Sequence, residues 1–295
     1  MTPSKFRKVV LDYYRAHGRH HLPWRRTRDP YHILVSEVML QQTQVDRVIP
    51  FYKDFIRSFP TLQALAKAPL ARVLTHWQGL GYNRRAKMLH EAAKAIVLDR
   101  GGRFPTRLED IESLPGVGPY TARAVVAFAY DRDEILIETN IRTAIVYHFF
   151  PDAAVSSDDD IRNALDSARP KIATGRKSNE IVSARIWNAA LMDYGAALKR
   201  QGVRTNARVK GYTKQKRFDG SLRQARGAVL RALVGGPMTG SKLSQLLGTD
   251  REAQVKGALA SLTKEGLVEL QSGRFRLPGS THFVSRTMRR APKRR

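Results

Sequence analysis

The residues best suited to chemistry in this chain are two glutamates with apolar neighbours. Glu37 lies in the run Leu34-Val35-Ser36-Glu37-Val38-Met39, and Glu138 follows Leu136-Ile137. A carboxyl group beside an apolar stripe is either half exposed or has its pKa raised by desolvation. Two carboxyls in different environments can divide acid and charge-stabilising roles, as in glycoside hydrolysis. An ordinary surface glutamate is the competing interpretation for Glu37.

Amide and aromatic side chains near Glu37 suggest contact with bases. Gln41, Gln42, Thr43 and Gln44 form an amide-rich run, and amides can read base edges. Farther along, Gly79-Leu80-Gly81-Tyr82 places an aromatic ring on a glycine-flexed corner next to Arg84 and Arg85. Such a tyrosine can wedge into stacked bases, although a tyrosine of the core would look the same.

A turn that contains two glycines, Leu114 to Thr121, has the features of a phosphate-binding site. Gly116 and Gly118 flank Val117 and can take positive φ, and Pro119 suits a first helical position. The next helix would then begin with its N–H donors pointing outward, which attracts an anion. An ordinary corner between two helices is the alternative.

The composition favours a nucleic-acid partner. Lys and Arg number 52 against 26 Asp and Glu, giving a formal net charge of +26 over 295 residues. An excess this large is expected to bind a polyanion. The chain has no cysteine, which excludes disulfides, thiolate zinc sites, cysteine-ligated iron–sulfur clusters and a thiol nucleophile. His17, His20 and His21 have no carboxylate at ligand spacing, so we expect no metal site.

The elements that must position these residues are mostly helices. Apolar spacing predicts helices throughout residues 1–198, including one capped near Asp29 that carries Glu37 and a buried central one over Thr121–Tyr130. The amino terminus, Met1 to Val10, has no apolar core of signal-peptide length, and no run of the sequence approaches the roughly 18 apolar residues of a membrane span. We therefore expect a soluble, cytoplasmic protein, nucleoid-associated if the source is prokaryotic. We also expect it to be a monomer.

The remainder of the chain has a different character. Residues 199–220 form a basic stretch, which either contacts phosphates or is a solvated linker; its candidates for contact are Lys199, Arg200, Arg204 and Arg208. Residues 221–279 predict three helices and a β-hairpin, a pattern that resembles a winged helix and serves DNA or protein binding. Residues 280–295 form a basic tail that we expect to be disordered.

With these pieces in order, residues 1–198 resemble the helix-hairpin-helix DNA glycosylase superfamily, most closely its A/G-specific adenine glycosylase branch. The matching segments, in family order, are Pro23-Trp24-Arg25, Pro30-Tyr31, Ser36 to Val45, Trp77 to Tyr82, Leu114 to Tyr120 and Met192 to Ala196. The resemblance implies a mainly α fold with a six-helix module over about 25–135. A second helical domain would comprise 1–24 plus 136–198, followed by the small winged-helix-like α+β domain.

The resemblance also implies residue roles. Glu37 matches the general acid that protonates N7 of a flipped adenine, and Asn140 matches an asparagine of the catalytic turn. Tyr120 stands where bifunctional relatives carry a Schiff-base lysine, which implies base excision without an efficient lyase step. Trp24 and Arg25 match the start of the base pocket. The expected DNA contacts are Gln41, Gln42, Thr43, Tyr82, Arg84, Arg85, Gly116, Val117 and Gly118.

Three departures from the family pattern matter. Glu138 stands in place of the family's catalytic aspartate, and a displacement of about 1 Å can cost on the order of a hundredfold in rate. The iron–sulfur ligands are missing, with Lys199 near the first ligand position, so we expect no cofactor, although the hairpin could hold a monovalent cation. The carboxy-terminal domain lacks the β-rich pattern of the relatives' domain that reads oxidised guanine.

The sequence therefore predicts a monofunctional DNA glycosylase of base excision repair. Its expected partner is double-stranded DNA with adenine opposite guanine or 8-oxoguanine. One alternative is a thymine or uracil mismatch glycosylase, because Tyr120 also occurs in relatives of that kind. Another is a catalytically silent lesion-binding protein, which the replacement by Glu138 favours. The retention of four family residues together opposes it: Glu37, Gln42, Tyr82 and Asn140.

Overall fold

The computed structural model describes residues 1–151, 157–170, 182–205, 220–248 and 251–280. The described chain is mainly helical, with a small α+β region at its carboxy-terminal end, as the sequence predicts. Across these residues, no helix has both the length and the apolar character needed to span a membrane.

The helices and strands follow one another along the chain as follows. Before residue 150 these are α1 Pro3–His17, a 3-10 helix Pro23–Arg25, α2 Pro30–Leu40, α3 Val45–Ser58, α4 Leu62–Lys67, α5 Leu70–Trp77, α6 Arg84–Asp99, α7 Leu108–Glu112, α8 Pro119–Tyr130 and α9 Thr139–Phe149. After it come α10 Asp158–Ala168, α11 Ala184–Arg200, α12 Leu222–Val234, α13 Gly240–Leu247, α14 Glu252–Lys264, β1 Glu269–Gln271 and β2 Arg274–Arg276.

Contacts divide the chain into two compact units. The first comprises Met1–Arg57 and Ala95–Lys216, and its core forms where α2 packs on α8 and where α11 packs on α9 and α1. Both α2 and α8 are apolar around most of their circumference, which is why they lie in the interior. Removal of these side chains from water is the main contribution to the stability of the first unit.

The second unit comprises Ser58–Lys94 and Arg217–Arg295. Here α12 packs on α14 and on α5, and α13 packs on α14. Arg226 of α12 forms a two-pronged ion pair with Glu265 just after α14, at 2.6 and 2.7 Å. Lys87 of α6 donates to the Glu265 backbone carbonyl at 2.6 Å. Residues 58–94 and the carboxy-terminal helices thus share one packed unit, while the domain boundaries drawn from the sequence stay a prediction.

The predicted hairpin is present. β1 and β2 pair antiparallel, with Leu270 opposite Phe275. Ser272 and Gly273 both have positive φ, 49° and 72°, as a two-residue hairpin turn requires. Phe275 also bridges to Met238, between α12 and α13, which gives the order of a winged helix: a short strand between the first two helices and a hairpin after the third.

The basic stretch begins differently from the prediction. Helix α11 continues to Arg200, so Lys199 and Arg200 belong to its last turn rather than to a linker. Basic side chains are favourable there because the helix carboxyl end is partially negative. Arg208 and most of the predicted linker, like the tail beyond residue 280, lie outside the described residues.

Candidate active site

Helix α2 places Glu37 in the interior of the first unit. Asp29 caps the helix by accepting the Tyr31 N–H at 2.8 Å, which fixes where the helix begins, as the sequence predicts. Apolar residues on both sides of Glu37 are buried, and Glu37 itself is only 9% exposed. Burial raises the pKa of Glu37 to about 7; the Arg25 charge opposes this rise and the Glu138 charge adds to it. A carboxyl with this pKa can hold a proton near neutral pH and donate it.

Glu138 occupies a contrasting position, the N-cap of α9. Its Oε1 accepts the backbone N–H groups of Asn140 and Ile141, each at 2.8 Å. Its Oε2 accepts from the Asn140 side-chain amide at 3.1 Å and from the Thr139 hydroxyl at 3.3 Å. These donors, at the positive end of a helix, stabilise a negative carboxylate. The side chain therefore both starts the helix and holds a fixed charge near Glu37.

Tyr120 lies in the first turn of α8 and faces the same two carboxylates. Burial raises the pKa of Tyr120 well above its usual range, and the charges of Glu37 and Glu138 raise it further. Its phenol therefore stays protonated at neutral pH. The structure brings Glu37, Glu138, Tyr120 and Arg25 close enough for their charges to interact, and their service as one catalytic site stays a prediction.

The turn between α7 and α8 has the expected form with one exception. Gly116 has φ of 73°, while Gly118 is extended, with φ of −95° and ψ of 175°, so the expected positive φ at Gly118 is wrong. Gly118 is the N-cap of α8 and has no side chain to occupy the free N–H groups of the first turn. Val117 between the glycines is buried and its N–H donates to Leu114. A helix start of this kind is suited to a phosphate.

The turn that carries Glu138 and Asn140 rests directly on helix α11. A Cβ added to Gly195 would lie 1.9 Å from the Asn140 carbonyl oxygen, so only glycine fits at this position. Lys199 follows one turn later on the same helix; burial lowers its pKa and the Glu138 charge opposes that change. Lys199 was predicted as a phosphate contact, and the structure adds that it lies within electrostatic range of Glu138.

Trp24 and Arg25, the predicted start of the base pocket, lie in the 3-10 helix. Trp24 is buried, with its ring edge-on to Tyr52 at 5.4 Å between centroids. Arg25 pairs with Asp193 of α11 at 3.0 Å and is 9% exposed, and its Nη1 is buried without a protein partner among the described residues. That nitrogen is a donor available to a ligand.

Asp193 is the residue that the sequence interpretation missed as a member of the site. It is buried and accepts from the Arg19 backbone N–H at 2.8 Å and the Arg19 Nε at 2.7 Å, in addition to its pair with Arg25. Its place in the Met192–Ala196 segment was the available signal. The two arginines lie far away in sequence, so the ion pairs could not be derived from spacing.

The amide run after Glu37 forms the turn between α2 and α3. Gln41 is half-buried and its amide donates to Thr121 at 3.4 Å. Gln42 is exposed with φ of 54°, an unusual conformation for a residue other than glycine. The Thr43 hydroxyl donates to the Gln41 carbonyl at 3.3 Å. Gln42 is therefore the amide of this turn that is presented to solvent in a constrained conformation, and its contact with DNA stays a prediction.

The remaining candidates lie outside this cluster. In the second unit, Arg84 is exposed, and Tyr82 and Arg85 are half-buried. Arg85 donates to the Gly81 carbonyl at 3.1 Å, and burial lowers its pKa to about 10. In the first unit, Arg200 donates to the Tyr13 hydroxyl at 3.4 Å and Arg204 to the Lys199 carbonyl at 2.9 Å. Their DNA contacts stay predictions.

Known proteins match this chain along most of its length. Residues 35–186 match the HhH-GPD superfamily of base excision DNA repair proteins. The adenine DNA glycosylase of Mycolicibacterium smegmatis is 37% identical over 291 residues, covering 92% of this chain and 95% of that protein. The adenine DNA glycosylase of Mycobacterium tuberculosis is 36% identical over 289 residues, with coverage of 90% and 91%.

The solved structures agree with these sequence matches. A thermostable thymine-DNA glycosylase superposes with a TM-score of 0.52 at 28% identity, covering 65% of this chain and 87% of that one. The helical fold, the hairpin and the paired carboxylates are therefore found in a chain whose sequence is similar to those of named enzymes. The chain is a DNA glycosylase that belongs to the HhH-GPD superfamily of base excision DNA repair proteins and, within it, to the adenine DNA glycosylases.

Proposed function

We propose that the substrate is adenine mispaired with guanine or with oxidised guanine, and that the enzyme hydrolyses the N-glycosidic bond without cleaving the strand. The observation that carries this proposal is the buried Glu37, whose pKa is raised to about 7 beside a second, helix-capping carboxylate. The match to adenine DNA glycosylases over most of the chain supports adenine as the base.

Glu37 supplies the proton in this mechanism. Adenine is a poor leaving group as an anion, so its N7 is protonated by the Glu37 carboxyl as the bond from C1′ to N9 breaks. The low-polarity surroundings that raise the pKa of Glu37 keep that proton available at neutral pH. The base has to leave the duplex stack to reach this buried group, at a cost of a few kcal/mol.

Glu138 stabilises the positive charge that develops on the sugar. Bond breaking gives the sugar oxocarbenium character, which a fixed carboxylate stabilises electrostatically. Hydrogen bonds from Asn140, Ile141 and Thr139 fix the position of the Glu138 carboxylate. Water then adds to C1′, and a carboxylate of the site accepts its proton.

Tyr120 supports the monofunctional part of the proposal. Strand cleavage through an imine needs an amine near C1′, and Tyr120 offers a phenol that stays protonated instead. The Arg25 Nη1, buried and without a protein partner among the described residues, is available to donate to the adenine or to a water that accompanies it.

Phosphate binding is assigned to the turn from Leu114 to Pro119. The N–H groups at the start of α8 have no side-chain cap, and a net charge of +26 attracts the duplex. The chain contains no cysteine with which to hold the iron–sulfur cluster of its relatives, and no step above depends on one. We infer that the basic residues of the stretch 199–220 contact DNA in place of a loop that would hold an iron–sulfur cluster.

The test is single-turnover base release from four duplexes: adenine opposite 8-oxoguanine, adenine opposite guanine, thymine opposite guanine and uracil opposite guanine. Release of adenine from the first two, with the strand left intact until alkali is added, is the expected result. Release of thymine or uracil alone would contradict adenine as the substrate. That second candidate is kept because a thymine-DNA glycosylase is among the similar structures, at 28% identity.

A further inference from the structure

Arg25 is bound through one guanidinium nitrogen and unpartnered at another. Its Nη2 donates to Asp193 Oδ1 at 3.0 Å, whereas its Nη1 is buried and has no protein partner within the described part of the chain. A buried donor left without a partner costs free energy, so its presence points to a ligand that accepts from it. Where Nη1 lies depends on the carboxylate that holds the rest of the guanidinium.

Asp193 of α11 is itself fixed at both carboxylate oxygens. Its Oδ1 also accepts from Arg19 Nε at 2.7 Å, and its Oδ2 accepts the Arg19 backbone N–H at 2.8 Å. The Asp193 side chain is 1% exposed, so water competes little for these hydrogen bonds. Because both oxygens are occupied, the carboxylate cannot turn without breaking hydrogen bonds. Arg25 thus has a partner in a defined position.

The backbone of Arg25 is held by the same helix. Arg185, near the start of α11, donates from Nη2 to the Arg25 carbonyl and from Nη1 to the Phe128 carbonyl at 2.7 Å. The Arg185 backbone N–H in turn donates to the Asp131 carboxylate at 2.9 Å. Helix α11 therefore fixes Arg25 twice, at the carbonyl through Arg185 and at the guanidinium through Asp193.

Arg25 also lies within electrostatic range of Glu37, and its charge opposes the rise in the pKa of Glu37 that burial causes. An arginine keeps its charge throughout the pH range of proteins, and its planar fork pairs readily with a carboxylate in reach. A direct pair with arginine lowers the pKa of a carboxyl by about 1 to 3, which would leave Glu37 ionised at neutral pH. Among the described residues, Arg25 pairs with Asp193 and not with Glu37. The proton on Glu37 therefore depends on where the Arg25 guanidinium is held.

We propose that Asp193 is a positioning residue of the reaction: by pairing with Arg25 it keeps the guanidinium off Glu37 and leaves Nη1 for the flipped base. Glu37 then stays available as the acid, and Asp193 acts only through Arg25. This inference rests on the proposed function, because it takes Glu37 as the proton donor. It gives the buried ion pairs of Asp193 a role in the reaction as well as in stability.

The test uses the full-length protein and four variants. Asp193→Asn removes the charge at constant size, and Asp193→Glu keeps a carboxylate. Arg19→Gln is the matched control, because it breaks the other ion pair of Asp193 and leaves the one with Arg25. The double variant Arg19→Gln/Asp193→Asn removes one charge of each sign, so it keeps the net charge of the cluster and leaves less uncompensated buried charge than Asp193→Asn alone.

Two pH profiles are recorded for each protein. One is the ¹³C titration of the Glu37 carboxyl in the protein without DNA. The other is single-turnover release of adenine opposite 8-oxoguanine. Thermal unfolding reports whether each variant is folded, and if Asp193→Asn does not fold, the double variant decides.

We expect the Glu37 midpoint near pH 7 in the wild type, in Asp193→Glu and in Arg19→Gln. In Asp193→Asn and in the double variant, both midpoints should move to lower pH by about 1–3 pH units, because Arg25 then pairs with Glu37. Adenine release at pH 8 should fall by about ten- to a thousandfold in these two variants, since at that pH the protonated fraction of Glu37 falls tenfold for every drop of one in its pKa. Arg19→Gln should lower the unfolding temperature without this change.

A Glu37 midpoint near that of the wild type in Asp193→Asn or in the double variant would overturn the proposal, because a loss of stability alone would mark a structural role. An equal shift when Asp193→Asn is made on an Arg25→Gln background would overturn it as well, since no guanidinium is left there to pair with Glu37. The Glu37 titration needs no DNA, so shifted midpoints in a protein that releases no adenine would count against the proposed function and not against this inference.

Discussion

Glu37 and Glu138 have contrasting surroundings, and the proposed mechanism gives these two residues of one type different chemical roles. Glu37 lies on a helix buried on all sides, where desolvation favours its neutral form. Glu138 lies at the start of a helix, where backbone and side-chain N–H groups converge on its charge. Desolvation keeps a proton available on the Glu37 carboxyl, whereas the N–H donors hold the Glu138 side chain in place, and the proposed division into acid and charge-stabilising partner rests on this difference.

The largest expected effect is on the proton donor. Glu37→Gln keeps the size of the side chain and its burial but removes the acid, so single-turnover adenine release should fall by about 10²- to 10⁴-fold. Glu91→Gln, in helix α6, is the matched control and should retain the wild-type rate. Release from Glu37→Gln at the wild-type rate would remove Glu37 from the mechanism.

A somewhat smaller loss is expected at Glu138, where two variants separate charge from capping. Glu138→Gln retains an oxygen that can accept from the helix N–H groups, so stability should change little while the rate falls by roughly a hundredfold. Glu138→Ala should slow base release by a similar factor. It should also lower the free energy of unfolding by about 1 kcal/mol, because the helix cap is lost. Rates are measured by single-turnover release and stabilities by denaturant unfolding. Equal activity of Glu138→Gln and the wild type would show that the charge is not needed.

The sequence was sufficient for part of this contrast. The Asp29 cap and the apolar spacing around Glu37 predicted the helix that carries it, but local residues left open whether the carboxyl is half exposed or desolvated. The capping role of Glu138 was missed, because at this position the sequence alone indicates only a carboxylate after apolar residues. Asp193 was also missed, since its partner Arg25 comes from a distant part of the chain and meets it only through tertiary packing.

The position of Glu138 can be tested by changing the backbone contact that supports its turn. Gly195→Ala would place a Cβ 1.9 Å from the Asn140 carbonyl, so the catalytic turn has to move. We expect about 1–3 kcal/mol of destabilisation from overpacking and up to a hundredfold slower release from misplacement of the turn. Gly227→Ala is the control: it also lies inside a helix but has no atom within 4 Å of the new Cβ. Unchanged activity in Gly195→Ala would contradict the close contact.

The last expected effect is on stability rather than on rate, and it depends on pH. The pKa of Glu37 is raised from 4.5 to about 7 in the folded protein, so between these values the folded state holds more protons than the unfolded state. Stability conferred by the neutral carboxyl is complete below pH 4.5 and is lost as the pH rises through 7. The free energy of unfolding of Glu37→Gln, measured relative to that of the wild type, should therefore rise by about 3 kcal/mol as the pH is raised from 4.5 to 8. A gain independent of pH would argue against a shifted pKa.

The raised pKa of Glu37 is the central claim, and direct titration tests it. The protein is labelled with ¹³C at glutamate side-chain carboxyls, and the Glu37 signal is assigned by its absence from Glu37→Gln. We predict that this carboxyl titrates near pH 7, because burial disfavours its charged form. A midpoint near 4.5 would mean that Glu37 is ionised at neutral pH and cannot serve as the acid.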